Sequence, residues 1–278
     1  MTDVATLPVP GATLHYETRG RGPVLLLIPG GAGDAGLYEG MADLLAGAGY
    51  TVVSYDQRGL SRSPLDGPPA DQRVGEWAED ARAVLDAVVP RGEAAYVYGS
   101  SSGAVVALEL LARHPARLAR VVAHEPPLVE LLDEPGPYRA HFAEVRELHR
   151  TRGLGPAMAR FAETPDGRGP EPERRHAELP PSVRPMASRM GANMPVFLEH
   201  VLCPFSSSAP DLDGLRAAAG KLVLGVGRES DGQEALVGPA RRIARETGAA
   251  VVEFPGGHLG CVERPEEFAE VLLTAMRP

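Results

Sequence analysis

Short apolar runs alternate with longer amphipathic stretches from Val24 to Glu125, and this alternation constrains the fold more than any other feature of the chain. Val24–Ile28 (VLLLI) is an unbroken aliphatic run closed by Pro29-Gly30-Gly31, as in a strand buried on both faces. A helix is expected from Tyr38 to Ala48, with Met41, Leu44 and Leu45 on one face, and then a strand from Thr51 to Tyr55. Next come a helix over Asp80–Val89 stopped by Pro90, a strand over Ala94–Tyr98, a helix over Ala104–Arg113 stopped by Pro115, and a strand over Arg120–Ala123. Strand and helix in alternation imply parallel strands joined by right-handed crossovers, with helices on both faces of the sheet.

The rhythm stops after Glu125 and returns at Lys221. A parallel connection needs only about a dozen residues, and this one is far longer, proline-rich, and amphipathic over Tyr138–Arg150 and Val183–Leu202. The expectation is a helical lid, residues 126–214, inserted into a core built from 1–125 and 215–278, with a loop over Thr164–Pro172. The core then resumes with strand Leu222–Val226, helix Ala240–Thr247, strand Ala250–Phe254 and helix Glu266–Met276. The fold class expected is therefore α/β, a mostly parallel sheet flanked by helices with an inserted helical lid.

Charge narrows the range of partners. Lys+Arg 28 against Asp+Glu 37 leaves a formal charge of -9, which repels phosphate backbones and anionic lipid surfaces. Neither a nucleic-acid nor a membrane partner is expected, and a small-molecule substrate is. The start of the chain has no basic segment followed by an apolar one, and no apolar run reaches the roughly 18 residues of a membrane span. A soluble, cytoplasmic protein is the expectation. Cys203 and Cys261 stand far apart, outside any metal-ligand or disulfide pattern, so neither a zinc site nor a disulfide is expected.

The residues that can carry chemistry lie at the predicted carboxyl edge of the sheet. Gly99-Ser100-Ser101-Ser102-Gly103 fits G-x-S-x-G between the AAYVY strand and the AVVALELLAR helix, a turn that lifts the middle serine clear of the sheet. Ser101 is the candidate nucleophile, while Ser100 and Ser102 serve the tight backbone. A serine hydroxyl needs a base to take its proton, and His258 follows the last predicted strand on the glycine-loosened segment Pro255-Gly256-Gly257. A tetrahedral oxyanion needs preorganised N–H donors. Ser102, at the start of the helix, can supply one, and Gly31, in the glycine run after the first core strand, can supply another.

Pro29-Gly30-Gly31, Tyr55 to Ser61 (YDQRGLS), Gly99 to Gly103 and Gly257-His258 together resemble the successive signatures of the α/β-hydrolase superfamily, in family order. The resemblance covers the chain outside the lid and implies a Ser-His mechanism, with Asp56 as a structural brace. Proline stands where that family usually has histidine before Gly30. Ser230 stands at the family's usual position for the acid, three residues beyond Gly227, and cannot supply a charge. The candidate acids are Asp231, one residue along, with Glu229 beside it, and Glu125, which follows the strand after the elbow helix. Glu125 is the expected acid, because Asp231 sits one residue off register on a tight loop while a strand-edge glutamate near the elbow needs no such adjustment. The Glu125 placement resembles that of some haloalkane dehalogenases, but those have an aspartate nucleophile, so Ser101 argues against dehalogenation and epoxide hydrolysis.

In the lid, Met186, Met190 and Met194 recur at helical spacing. Such a stripe either packs on the core or forms an adaptable apolar wall over the serine, and as candidate substrate-binding residues they would favour a hydrophobic acyl or alcohol group. The activity expected is hydrolysis of a carboxylic ester through an acyl-enzyme, chemistry that calls for no cofactor. Its alternatives are C–C bond hydrolysis on the same residues, or a ligand-binding receptor with slow turnover.

Overall fold

The computed structural model describes residues 2–165 and 183–277, so most of the loop expected over Thr164–Pro172 lies outside the described residues. In chain order the elements are β1 (Asp3–Val9), β2 (Ala12–Gly20), β3 (Val24–Ile28), α1 (Glu39–Gly47), β4 (Thr51–Tyr55), α2 (Val74–Val88), β5 (Ala95–Ser100), α3 (Ser102–Arg113) and β6 (Leu118–His124). Between β6 and β7 come α4 (Pro135–Arg152), α5 (Leu154–Phe161), α6 (Arg184–Val196), α7 (Leu202–Ser206) and α8 (Leu212–Ala217). The chain closes with β7 (Leu222–Gly227), α9 (Glu234–Thr247), β8 (Ala250–Phe254), α10 (Gly260–Glu263) and α11 (Pro265–Ala275).

One eight-stranded sheet runs in the order β1-β2-β4-β3-β5-β6-β7-β8. Every pairing from β4 to β8 is parallel, while β1 with β2 and β2 with β4 are antiparallel. Alternation along β3 sets the two layers. Leu26 and Ile28 face a core shared with Trp77 and Leu85 of α2, α3, and Ile243 of α9, whereas Leu25 and Leu27 face Met41 and Leu45 of α1 and Phe268 and Leu272 of α11. Among the described residues no helix is long and apolar enough to cross a membrane.

The structure departs from the sequence reading at several elements, among them α9, which starts at Glu234 rather than at the expected Ala240. The β1–β2 hairpin at the sheet edge was not expected, because β1 is half exposed and β2 carries His15, Glu17 and Arg19 in place of an apolar run. Helix α2 starts at Val74, six residues before the expected Asp80, because Trp77 is buried and donates from Nε1 to Gln72 at 3.1 Å, which outweighs the poor helix propensity of Gly75. The expected Val183–Leu202 helix is interrupted. Pro195 lacks the N–H and crowds the preceding turn, and Phe197–Val201 widens into a π-helical turn before α7.

Candidate active site

The site gathers at the carboxyl ends of β5, β6, β7 and β8, which are adjacent in the sheet. Ser101 follows β5 at φ 55°, a left-handed conformation that a serine adopts only under constraint. The constraint is close backbone approach: a Cβ on Gly99 would sit 2.3 Å from the Gly103 carbonyl, and one on Gly103 would sit 2.2 Å from the Ile28 carbonyl. Behind the elbow, Ser100 Oγ lies 2.8 Å from the Tyr38 hydroxyl, which also donates to Ile28 O. The Ser101 N–H continues the sheet ladder by donating to His124 O at 2.9 Å.

Glu125 follows β6, also at positive φ (50°), so two of the three non-glycine residues with positive φ among those described belong to this site. An observed strain of this kind points to a functional constraint. The side chain is fully buried, and it is fully engaged: Oε1 accepts the Gly227 N–H at 2.7 Å and Oε2 lies 2.7 Å from His258 Nδ1. Burial alone would raise the Glu125 pKa, but the His258 hydrogen bond, the nearby imidazoles and the Ser230 hydroxyl lower it to about 2. His258 is presented by the loop after β8, and its ring remains partly exposed to the cavity that Ser101 also lines.

Between Glu125 and Asp231, only Glu125 meets His258. Residues Arg228–Ser230 form a tight turn after β7 that buries Ser230 and throws Asp231 outward. The Asp231 side chain is 88% exposed and stands 3.8 Å from Arg241. Gly31 lies opposite the elbow, but its N–H is already engaged, donating to Ser102 Oγ at 2.9 Å.

The cavity beside Ser101 has a volume of about 710 Å³. Its wall is aromatic, built by Tyr138 and Phe142 of α4, Phe161 of α5, Phe197 of the π turn and Phe205 of α7, with the buried imidazole of His141 among them. The methionine wall is therefore corrected: Met186, Met190 and Met194 do not line this cavity. Met186 packs with Leu37, Tyr38 and Met41, and Met190 and Met194 rest against the core, because α6 turns its methionine face inward. A signal for the real wall was present in composition. Four of the chain's six phenylalanines (Phe142, Phe161, Phe197 and Phe205) fall between β6 and β7.

Sequence reasoning also missed a polar clamp between α6 and the loop after β3. Arg189 pairs with the buried Asp34 through two hydrogen bonds, and Asn193 donates to Ala32 O at 2.9 Å while accepting the Ser61 N–H at 2.7 Å. Burial raises the Asp34 pKa, yet the bonds from Arg189, Ser61 and Gly36 leave it below the usual carboxylate range. Arg189 and Asn193 are four residues apart on the stripe beside the methionines, which is the one hint the sequence held. Asp56 braces the same loop, accepting the N–H groups of Ala35 and Arg62 at 3.0 Å each.

A hydroxyl at a strained elbow and an imidazole held by a buried carboxylate, both facing one apolar cavity, form a set able to add an oxygen nucleophile to an electrophilic carbon and move its proton. Comparison with known proteins agrees with this chemistry at the level of family. Residues 23–198 match the alpha/beta hydrolase fold family. An uncharacterized hydrolase, YraK, from Bacillus subtilis (strain 168) is 33% identical over 272 residues, covering 96% of this chain and 93% of that protein. Among solved structures, a thermophilic esterase from Thermogutta terrifontis superimposes with a TM-score of 0.75 at 19% identity, over 98% of this chain and 97% of that one. The enol-lactonase from Burkholderia xenovorans LB400 superimposes with a TM-score of 0.71 at 19% identity, over 98% and 99%. With the family's signatures at the ends of β3, β5 and β8, and with a relative matched along nearly its whole length, the chain belongs to the α/β-hydrolase superfamily and is a hydrolase of that type.

Proposed function

We propose that this hydrolase cleaves carboxylic esters of bulky apolar substrates through a covalent acyl-enzyme. The observation that carries the reading is the Glu125–His258 pair at 2.7 Å beside a serine held at positive φ, all at the edge of one aromatic cavity. Ser101 attacks the carbonyl carbon. His258 takes the serine proton on Nε2 and then returns it to the departing alcohol. Glu125 holds the imidazole with its proton on Nδ1 and stabilises the imidazolium. The backbone N–H of Ser102 faces the developing oxyanion, and Gly31, whose own N–H donates to Ser102 Oγ at 2.9 Å, backs it. Nucleophile, base and donors all come from the chain, so this chemistry needs no cofactor. The segment 126–214 acts as a lid, its aromatic side chains shaping the acyl or alcohol pocket. The esterase and enol-lactonase among its structural neighbours support cleavage at an acyl carbon over C–C bond hydrolysis.

The test is covalent labelling with a fluorophosphonate together with turnover on an ester panel. Ser101→Ala should lose the label and Ser100→Ala should keep it, since Ser100 bonds Tyr38 behind the elbow. Esters with aromatic or branched acyl groups should be turned over many times per site, with kcat/KM above that for acetate esters. Labelling that persists in Ser101→Ala, or a single stoichiometric turnover, would refute the reading.

A further inference from the structure

Ser102 opens α3, but its side chain is not spent on the helix. Its Oγ accepts the Gly31 N–H at 2.9 Å, and the residue, only 3% exposed, lines the same cavity as Ser101 and His258. A serine hydroxyl carries one proton and two lone pairs. Gly31 uses a lone pair, and among the described residues no hydrogen bond uses the proton.

The loop that carries Gly31 is not positioned to swing away. Gln57 Nε2 donates to Pro29 O, Gly33 N–H donates to Gly30 O at 3.0 Å, Asn193 Nδ2 donates to Ala32 O at 2.9 Å, and Ala35 N–H donates to Asp56 at 3.0 Å. Gly31 is thus bracketed on both sides, with its N–H directed at Ser102 Oγ.

We propose that the Ser102 hydroxyl is itself an oxyanion donor, so that one residue supplies two donors, its backbone N–H and its Oγ–H. Gly31 acts behind it: by donating to Oγ it fixes the hydroxyl and polarises the O–H. The inference rests on Ser101 being an acyl-transfer nucleophile. As the Ser101 Oγ–carbon bond forms, the carbonyl π pair moves to oxygen and the Ser101 proton passes to His258 Nε2. Ser102 keeps its own proton and only hydrogen-bonds the new oxyanion. When the tetrahedral adduct collapses, the carbonyl re-forms and the alcohol leaves with the proton from His258.

The alternative is that the hydroxyl merely plugs the Gly31 N–H and must be displaced before that N–H can serve. The two readings predict opposite signs for Ser102→Ala. An oxyanion donor is worth about 10²–10³ in kcat. Ser102→Ala should therefore lose about 10²-fold in kcat on a p-nitrophenyl ester with KM little changed, and its affinity for a trifluoromethyl ketone should weaken in parallel. Ser102→Thr and Ser102→Val, nearly equal in shape, control for packing: Thr should exceed Val by a similar factor at matched thermal midpoints. A Ser102→Ala enzyme as fast as wild type or faster would overturn the proposal, as would equal rates for Thr and Val. Wild-type protein that neither takes a fluorophosphonate nor hydrolyses the ester would instead refute the acyl-transfer reading, before any Ser102 variant is compared.

Discussion

Oε1 of Glu125 accepts the Gly227 N–H at 2.7 Å, so the carboxylate is anchored to β7 by the oxygen it does not offer to His258. A glutamine in its place has one oxygen for two N–H donors. If that oxygen stays on Gly227, the amide NH₂ faces Nδ1 and stabilises the tautomer whose Nε2 carries the proton, which cannot accept one from serine. Glu125→Gln should lose kcat by about 10⁴-fold, as neutralising the aspartate does in a serine protease. Asp231→Asn, altering a side chain in solvent, should lose less than about tenfold. Single-turnover acylation rates at matched thermal midpoints check this, and a crippled Asp231→Asn beside a near-normal Glu125→Gln would return the acid to the loop after β7.

His124 gives the protein an acid sensitivity of its own. Its ring is buried edge-on to Phe254 and Phe268, neither nitrogen has a partner in the described structure, and burial lowers its pKa to about 4. Between pH 6.5 and 4 the unfolded chain binds a proton that the folded chain refuses, so stability falls as pH falls through that window, by about 3 kcal/mol. The depressed Glu125 contributes in a lower window: its stabilisation is present above pH 4.5 and is lost as pH falls towards 2. Urea unfolding of wild type and His124→Phe at pH 7 and pH 4.5 separates the two. The variant should have the shallower dependence, and equal slopes would show that His124 is not the source.

Asn193→Ala should slow the enzyme from outside the cavity. It leaves the Ser61 N–H and the Ala32 carbonyl without partners, at about 1–3 kcal/mol for a buried group, and it unties the loop bearing Gly31. The expected result is a lower thermal midpoint and a kcat reduced about tenfold with KM nearly unchanged. Met190→Leu, on the same helix but facing the core, should leave kcat as it is.

What the sequence made legible follows from where backbone geometry forces a residue type. The elbow shows because no side chain fits at Gly99 or Gly103, and β3 shows because both of its faces are buried. The β1–β2 edge has no such mark, since one solvated face tolerates polar residues. The Met186, Met190 and Met194 stripe correctly marks one face of α6, yet periodicity cannot say what a face meets. Register favours Glu125 over Asp231 already in the sequence, but the tight turn that throws Asp231 outward is recorded in no residue pattern.

Because the carboxylate that meets His258 comes from β6, the segment after β7 has a different assignment of space. Its constraint ends at Ser230, which is buried beside Glu125, and from Gly232 through Leu236 the chain lines the cavity instead. The stretch that in the usual arrangement carries the acid here lines the cavity beside Ser101. Selectivity can therefore be redesigned at Gln233, Glu234 and Leu236 by library methods, one turn of chain away from the proton path and without altering any atom of it.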